Sequence, residues 1–233
     1  MNILHPRKGK FIVFDGPSAS GKNTIIKQLL LELDNLQISY FYFEEVTSEG
    51  YDKEAILQAK KKGEHYGTYG DREVVEAFVK ERQKLYFNYV LPKLSTQTYV
   101  IANRGEPSTL AYQTIHNEST MQEVWDLHRD NNITLADLVV ITNCSVKEAI
   151  ARESQRGTIT STQRELQGKF TTVSNHLPEN AVKKREKIHT QYKEVKKFLE
   201  KEGVPVLDLD TDLLSISGEV RKILERLREI DAG

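Results

Sequence analysis

The stretch Phe11–Thr24 reads FIVFDGPSASGKNT. A short apolar run, Phe11–Phe14, meets a glycine-rich turn that ends in Gly21-Lys22, just ahead of an amphipathic segment. Strand, loop and helix start, in that order, form the setting a phosphate-binding loop requires. Gly16 and Gly21 let the backbone curl so that successive N–H groups point inward. The helix start adds its own unpaired N–H groups and the positive end of its dipole. Lys22 brings a full charge to the outer phosphates. The pattern G-x-x-x-x-G-K-[S/T] fails at its last position, where Asn23 stands and Thr24 follows. A plain surface turn could carry the same glycines and serines. The flanking strand and helix favour a nucleotide loop built from Gly16, Pro17, Ser18, Ala19, Ser20, Gly21, Lys22, Asn23 and Thr24.

Outward from that loop, strand and helix patterns alternate. Lys10–Phe14, Ser39–Phe43, Tyr99–Ala102, Leu138–Thr142 and Val204–Leu209 read as short buried strands. Helical periodicity covers Thr24–Leu33, Asp52–Lys61, Arg72–Leu91, Thr109–His116, Met121–Arg129, Val146–Glu153, Asn180–Lys201 and Ser217–Ile230. This alternation predicts an α/β fold: a doubly wound, parallel, five-stranded sheet with helices on both faces. In such sheets the ligand sits beyond the carboxyl ends of the strands. The loops that matter are therefore 15–24, 44–50, 103–109, 143–147 and 208–213.

Composition fits one compact domain over residues 1–233. Hydrophobic residues make up 38% and charged residues 29%, enough for a core and a solvated surface. The net charge of −1 argues against nucleic acid or a membrane surface as partner. The single cysteine, Cys144, rules out a disulfide framework and a cysteine zinc site. The start lacks an apolar signal core and no stretch approaches ~18 consecutive apolar residues, so a cytoplasmic location is expected. The lysine runs at 60–62 and 183–187 read as solvated helix faces.

Three further segments carry chemistry. Asn103-Arg104-Gly105-Glu106-Pro107-Ser108 follows the third strand. An arginine there projects into the ligand crevice, and its guanidinium suits bidentate phosphate binding. Ser108 or Thr109 is expected to cap the next helix, with Pro107 at its start. Phe78 and Arg82 lie four apart on one helix face, where an aromatic can stack a base and the cation can meet a carbonyl edge. The same pair also fits a core aromatic beside a surface arginine. Last, Arg152, Arg156 and Arg164 flank the small polar run 157–162, the makings of a lid, around residues 153–165, that closes over transferring phosphates.

Together the loop GPSASGKNT, Phe78-x-x-x-Arg82, NRGEPSTLAYQ, ARESQRG and VPVLDLDTDLLSISGEVRKIL resemble the thymidylate kinases, within the P-loop nucleoside monophosphate kinases. The run Thr109–Gln113 is the most family-specific element. The resemblance implies an ATP-dependent phosphotransferase that uses magnesium, acts on dTMP and forms a homodimer. It implies that Phe78 stacks the thymine ring and Arg82 pairs with its carbonyl. Arg104 would hold the monophosphate, Tyr112 and Gln113 would line sugar and base, and Arg156 would begin the lid. Lys22, Arg104 and Arg156 are then the catalytic cations.

This chain departs from the family pattern at several places. Asn103 replaces the aspartate of an aspartate-arginine pair, Ser18 replaces a carboxylate within the loop, and Phe43-Glu44-Glu45-Val46 replaces an arginine-glutamate-proline stretch. Asn23 holds the usual magnesium-contacting hydroxyl position. Asp15, acting through water, and Thr24 are the remaining candidates for the metal, though a strand-end aspartate also suits bonding to loop N–H groups. Two other readings stay open. One is a kinase for another monophosphate or for a nucleoside, with Glu44 or Glu45 as general base. The other is a nucleotide-binding regulatory module with little turnover.

Overall fold

The computed structural model describes residues 8–45, 54, 58, 72–115, 119–133, 135–155 and 179–232. Its sheet contains β1 (Lys10–Asp15), β2 (Tyr40–Glu44), β3 (Tyr99–Asn103), β4 (Leu138–Asn143) and β5 (Val206–Asp210). The strands lie in the order β2-β3-β1-β4-β5, every pair parallel. Each expected strand is present, with ends shifted by one or two residues. The helices among the described residues are α1 (Lys22–Asn35), α2 (Arg72–Leu85), α3 (Leu91–Leu94), α4 (Glu106–Gln113), α5 (Met121–Asp130), α6 (Val146–Gln155), α7 (Glu179–Lys201) and α8 (Ile216–Ala232).

The sequence of β1 explains its place at the centre. Phe11 and Val13 point to one face of the sheet and Ile12 and Phe14 to the other, as the two-residue period of a strand dictates. All four are fully buried. A strand covered on both faces needs a continuous apolar run rather than alternation. On one face, Ile25, Leu29 and Leu33 of α1 and Val220, Ile223 and Leu227 of α8 pack over Ile12 and Phe14. The other face carries Val75 and Val79 of α2, Leu110 of α4, Trp125 of α5 and Tyr192 of α7 over Phe11 and Val13. Leu29 is fully buried, so its truncation to alanine costs about 2–5 kcal/mol.

Topology positions the site. β1 feeds α1 on one face, whereas its neighbour β3 feeds α4 on the opposite face. The chain parts at the carboxyl ends of these two strands, which leaves a crevice there. Register brings Asn103 beside Phe14 on one side and Glu44 on the other.

Two helices differ from expectation. The periodic run 72–91 is not one α-helix: α2 ends at Leu85, a π-helical turn spans Tyr86–Val90, and α3 follows. Pro92 has no N–H and its ring crowds the carbonyl four residues back, and the wider turn relieves that conflict. Helix α4 begins at Glu106, three residues early, with Gly105 as its N-cap and no side-chain cap. Ser108 and Thr109 therefore do not cap it. The expected helix 52–61 lies outside the described residues, apart from Glu54 and Gln58, which are helical.

Candidate active site

The loop between β1 and α1 is shaped by three residues with positive φ: Gly16 at 147°, Ala19 at 62° and Gly21 at 87°. At Gly16 a Cβ would stand 2.3 Å from the Thr142 carbonyl oxygen, so only glycine fits against β4. Ser20 is pinned to β4 by a 2.6 Å bond between its hydroxyl and that of Thr142. From α6, Arg152 reaches the Ala19 carbonyl of the loop at 3.5 Å and is itself held by the Thr211 hydroxyl at 2.7 Å and by Glu148. These bonds hold the loop open around a cleft lined by residues 17–23, Glu44, Asn103 and Arg104.

Lys22 is 6% exposed on that cleft. Burial, reinforced by the Arg104 charge, pulls its ammonium down to about 7, against the opposing pull of Asp15 and Glu44. A buried lysine beside an arginine is a site in want of anions. Arg104 stands at the end of β3 with φ 77°, held by its N–H on the Phe14 carbonyl at 2.8 Å. Its Nη1 donates to Ser108 at 2.9 Å and lies 3.6 Å from Asp15, and the guanidinium faces the Tyr112 ring at 5.9 Å.

Asp15 is wholly buried. It accepts hydrogen bonds from the Gly16 N–H, the Ser108 hydroxyl and the Tyr192 hydroxyl, each at 2.8 Å, and from the Gly105 N–H at 3.3 Å. Of the two roles expected for it, the structure shows the bonds to loop N–H groups: Asp15 ties β1, the Arg104 loop and α7 together. It also explains why Ser108 is no cap, since its hydroxyl is engaged with Asp15. Thr24 is exposed one residue beyond the cleft lining, and Asn23 lies within it.

Opposite the loop, the ends of β2 and β3 present oxygen. The Asn103 side-chain NH2 donates to Glu44 at 3.1 Å and to Asn23 Oδ1 at 3.2 Å. Tyr42 donates its hydroxyl to the same Glu44 oxygen at 3.2 Å. Asn103 Oδ1 is buried and has no hydrogen-bond partner. Among the described residues no cluster of three or more His, Cys, Asp or Glu could cage a metal. A hard cation here would share a carboxylate and the nucleotide phosphates, which is how magnesium is commonly held.

None of the expected base-binding residues is in the lining of this cleft; Tyr112 adjoins it through Arg104. Phe78 is half-buried against the core, Gln113 is buried, and Tyr112 packs edge-on against Tyr192 at 6.2 Å. Arg82 is fully buried, not a surface arginine. It holds Glu45 through two bonds, and its guanidinium also meets the Thr109 hydroxyl at 3.1 Å and His128 Nε2. His128 Nδ1 faces the Val124 carbonyl at 2.6 Å, which can only accept, so Nδ1 carries the proton and Nε2 accepts from Arg82. Burial and the Arg82 charge drive the His128 pKa down to about 3, so the ring is neutral. Of the two carboxylates after β2, Glu45 is engaged with Arg82 and Glu44 faces the cleft. Arg156, Arg164 and most of the expected lid lie outside the described residues.

Sequence reasoning missed Tyr192 and His128 as supports of the site, and offered Glu45 as a general base where the structure shows it as the partner of Arg82. Tyr192 sits within a regular helical pattern and bonds across 177 positions, a pairing that no local spacing reveals.

The sequence model of the thymidylate kinase family matches residues 14–201. The chain is 29% identical over 150 residues to the thymidylate kinase of Leptospira interrogans, covering 64% of this chain and 71% of that protein. It is 27% identical over 180 residues to the thymidylate kinase of Bdellovibrio bacteriovorus, covering 76% and 82% of the two chains. With that of Limosilactobacillus reuteri it shares 27% over 122 residues, 52% of this chain and 57% of the other. The phosphate loop, the Arg104 loop and the Phe78–Arg82 helix all lie within the matched span, and the chain belongs to the thymidylate kinase family.

Proposed function

We propose that this protein moves the γ-phosphate of ATP to dTMP, giving ADP and dTDP, as a single-domain cytosolic enzyme that works as a homodimer. As a member of its family it is an ATP-dependent phosphotransferase. The observation that carries the reading is the meeting of two basic side chains across one cleft: the buried Lys22 at the start of α1 and the half-buried Arg104 just past β3. Phosphoryl transfer passes through a loose transition state, so the protein's work is to position two phosphates and offset their charge. Lys22 and the loop N–H groups hold the ATP phosphates, and Arg104, fixed by Asp15 and Ser108, holds the acceptor phosphate. Magnesium, when bound, supplies further positive charge between the ATP phosphates. Phe78 offers the stacking plane for the base, with Tyr112 and Gln113 beside it. Arg82 is fully buried and bound to Glu45, Thr109 and His128, so it braces this wall from behind rather than meeting the base itself.

The test is kcat/KM for dTMP, dUMP and dCMP, read as ADP release. The expected order is dTMP at least equal to dUMP, with both ahead of dCMP. A preference for dCMP, or no ADP release with any monophosphate, would overturn this reading.

A further inference from the structure

We propose that Glu44, at the end of β2, is the carboxylate through which this chain holds the magnesium of bound ATP, and that Asn103 is its positioning residue. The inference rests on the phosphotransferase reading above. Among the described residues Glu44 is the one carboxylate lining the cleft. Asp15 is closer in sequence to the loop, but its oxygens are engaged by Gly16, Gly105, Ser108 and Tyr192. Magnesium keeps several waters and needs one or two carboxylates beside the phosphates, so a single well-held Glu44 suffices.

Asn103 supplies the second, independent observation. Its side chain is 6% exposed, and its Oδ1 lacks any partner within the structure. A buried amide oxygen without a donor costs free energy unless something else meets it, and a cation or its water shell is what this wall of the cleft can receive. The orientation of the amide is dictated by Glu44: a carboxylate only accepts, so the NH2 must face it and the oxygen must turn away. An aspartate at 103 would set two carboxylates about 3 Å apart, and like charges at that distance cannot both stay ionised. Asn103 and Glu44 thus form a matched pair: the amide at 103 lets the charge reside on β2. Asn23, held by the same NH2 group at 3.2 Å, completes the oxygen-rich edge next to Lys22.

The test reads metal, not turnover. The affinity of a non-hydrolysable ATP analogue is measured calorimetrically with and without Mg2+, and Mn2+ release is followed by electron paramagnetic resonance. In wild type, the metal should tighten analogue binding. Glu44→Gln should lose about tenfold or more of that tightening, while its metal-free affinity does not fall, since one negative charge fewer faces the phosphates; that retained binding also reports an intact loop. Adding Asn103→Asp to Glu44→Gln should restore most of the loss, because the charge then returns to the edge from β3. Glu44→Gln with the full wild-type metal effect would overturn the inference, as would a double variant no better than the single one. No acceptor is present in this experiment. A wrong acceptor base therefore leaves its outcome untouched, and its failure leaves the dTMP reading standing.

Discussion

The depressed ammonium of Lys22 makes ATP binding a proton-linked event. In the free protein its pKa lies at about 7, because burial and Arg104 disfavour its charge. A bound triphosphate favours the charged form, so binding must draw a proton onto Lys22 wherever the free lysine is neutral. With a free-state value of about 7, roughly nine in ten lysines are neutral at about pH 8, half at pH 7 and one in ten at pH 6. Proton uptake on ATP binding should therefore be about 0.9, 0.5 and 0.1 at those three values. Affinity should weaken about tenfold, or ~1.4 kcal/mol, between about pH 6 and pH 8. Calorimetry in buffers of different ionisation heat measures the uptake directly. Lys22→Arg is the control, because a guanidinium stays charged throughout and the ionisation of ATP itself is common to both proteins. Equal proton uptake by wild type and Lys22→Arg at about pH 8 would refute the reasoning, since the lysine would then be charged before ATP arrives.

Three further outcomes follow from the same geometry. Lys22→Ala should lower kcat/KM by orders of magnitude, on the scale of ~3 kcal/mol or more, with an unchanged circular dichroism spectrum. Arg82→Ala leaves Glu45 buried without its partner, so chemical denaturation should show a loss of about 3–5 kcal/mol, far more than a surface arginine would give. His128 stays neutral in the folded state down to about pH 3 but protonates near 6.5 when unfolded. Its contribution is complete above the unfolded value and declines as pH falls from 6.5 towards 3, reaching a loss of about 2 kcal/mol at pH 5. Subtracting the denaturation profile of His128→Asn isolates that term from Glu106, whose carboxyl burial raises to about 6 and which shifts stability the other way. A wild-type profile parallel to that of His128→Asn would contradict it.

Local rules made much of this molecule readable. β1 and its loop were legible because a two-residue period and the glycine spacing are properties of adjacent residues, and five short strands in alternation with helices leave few topologies, although the edge strands β2 and β5 are only partly buried. Where chain chemistry intervened locally, the reading slipped: Pro92 broke a helix whose periodicity ran on, and Ser108 was drawn to Asp15 instead of capping α4. Pairings across the fold were not legible at all. Arg82 and Glu45 are 37 positions apart, and spacing on a helix gives Arg82 a face but not a partner. The same holds for Asp15, whose role depends on Tyr192 arriving from α7. Asn103 reads as a loss in the sequence and as half of a pair with Glu44 in the fold.

The most direct test of the account is a single-turnover reaction of enzyme with γ-labelled ATP, magnesium and dTMP, the products separated by chromatography. The account predicts that the label moves from ATP into dTDP, and that Lys22→Ala abolishes the transfer. Label that stays in ATP, or that emerges only as free phosphate, would contradict it.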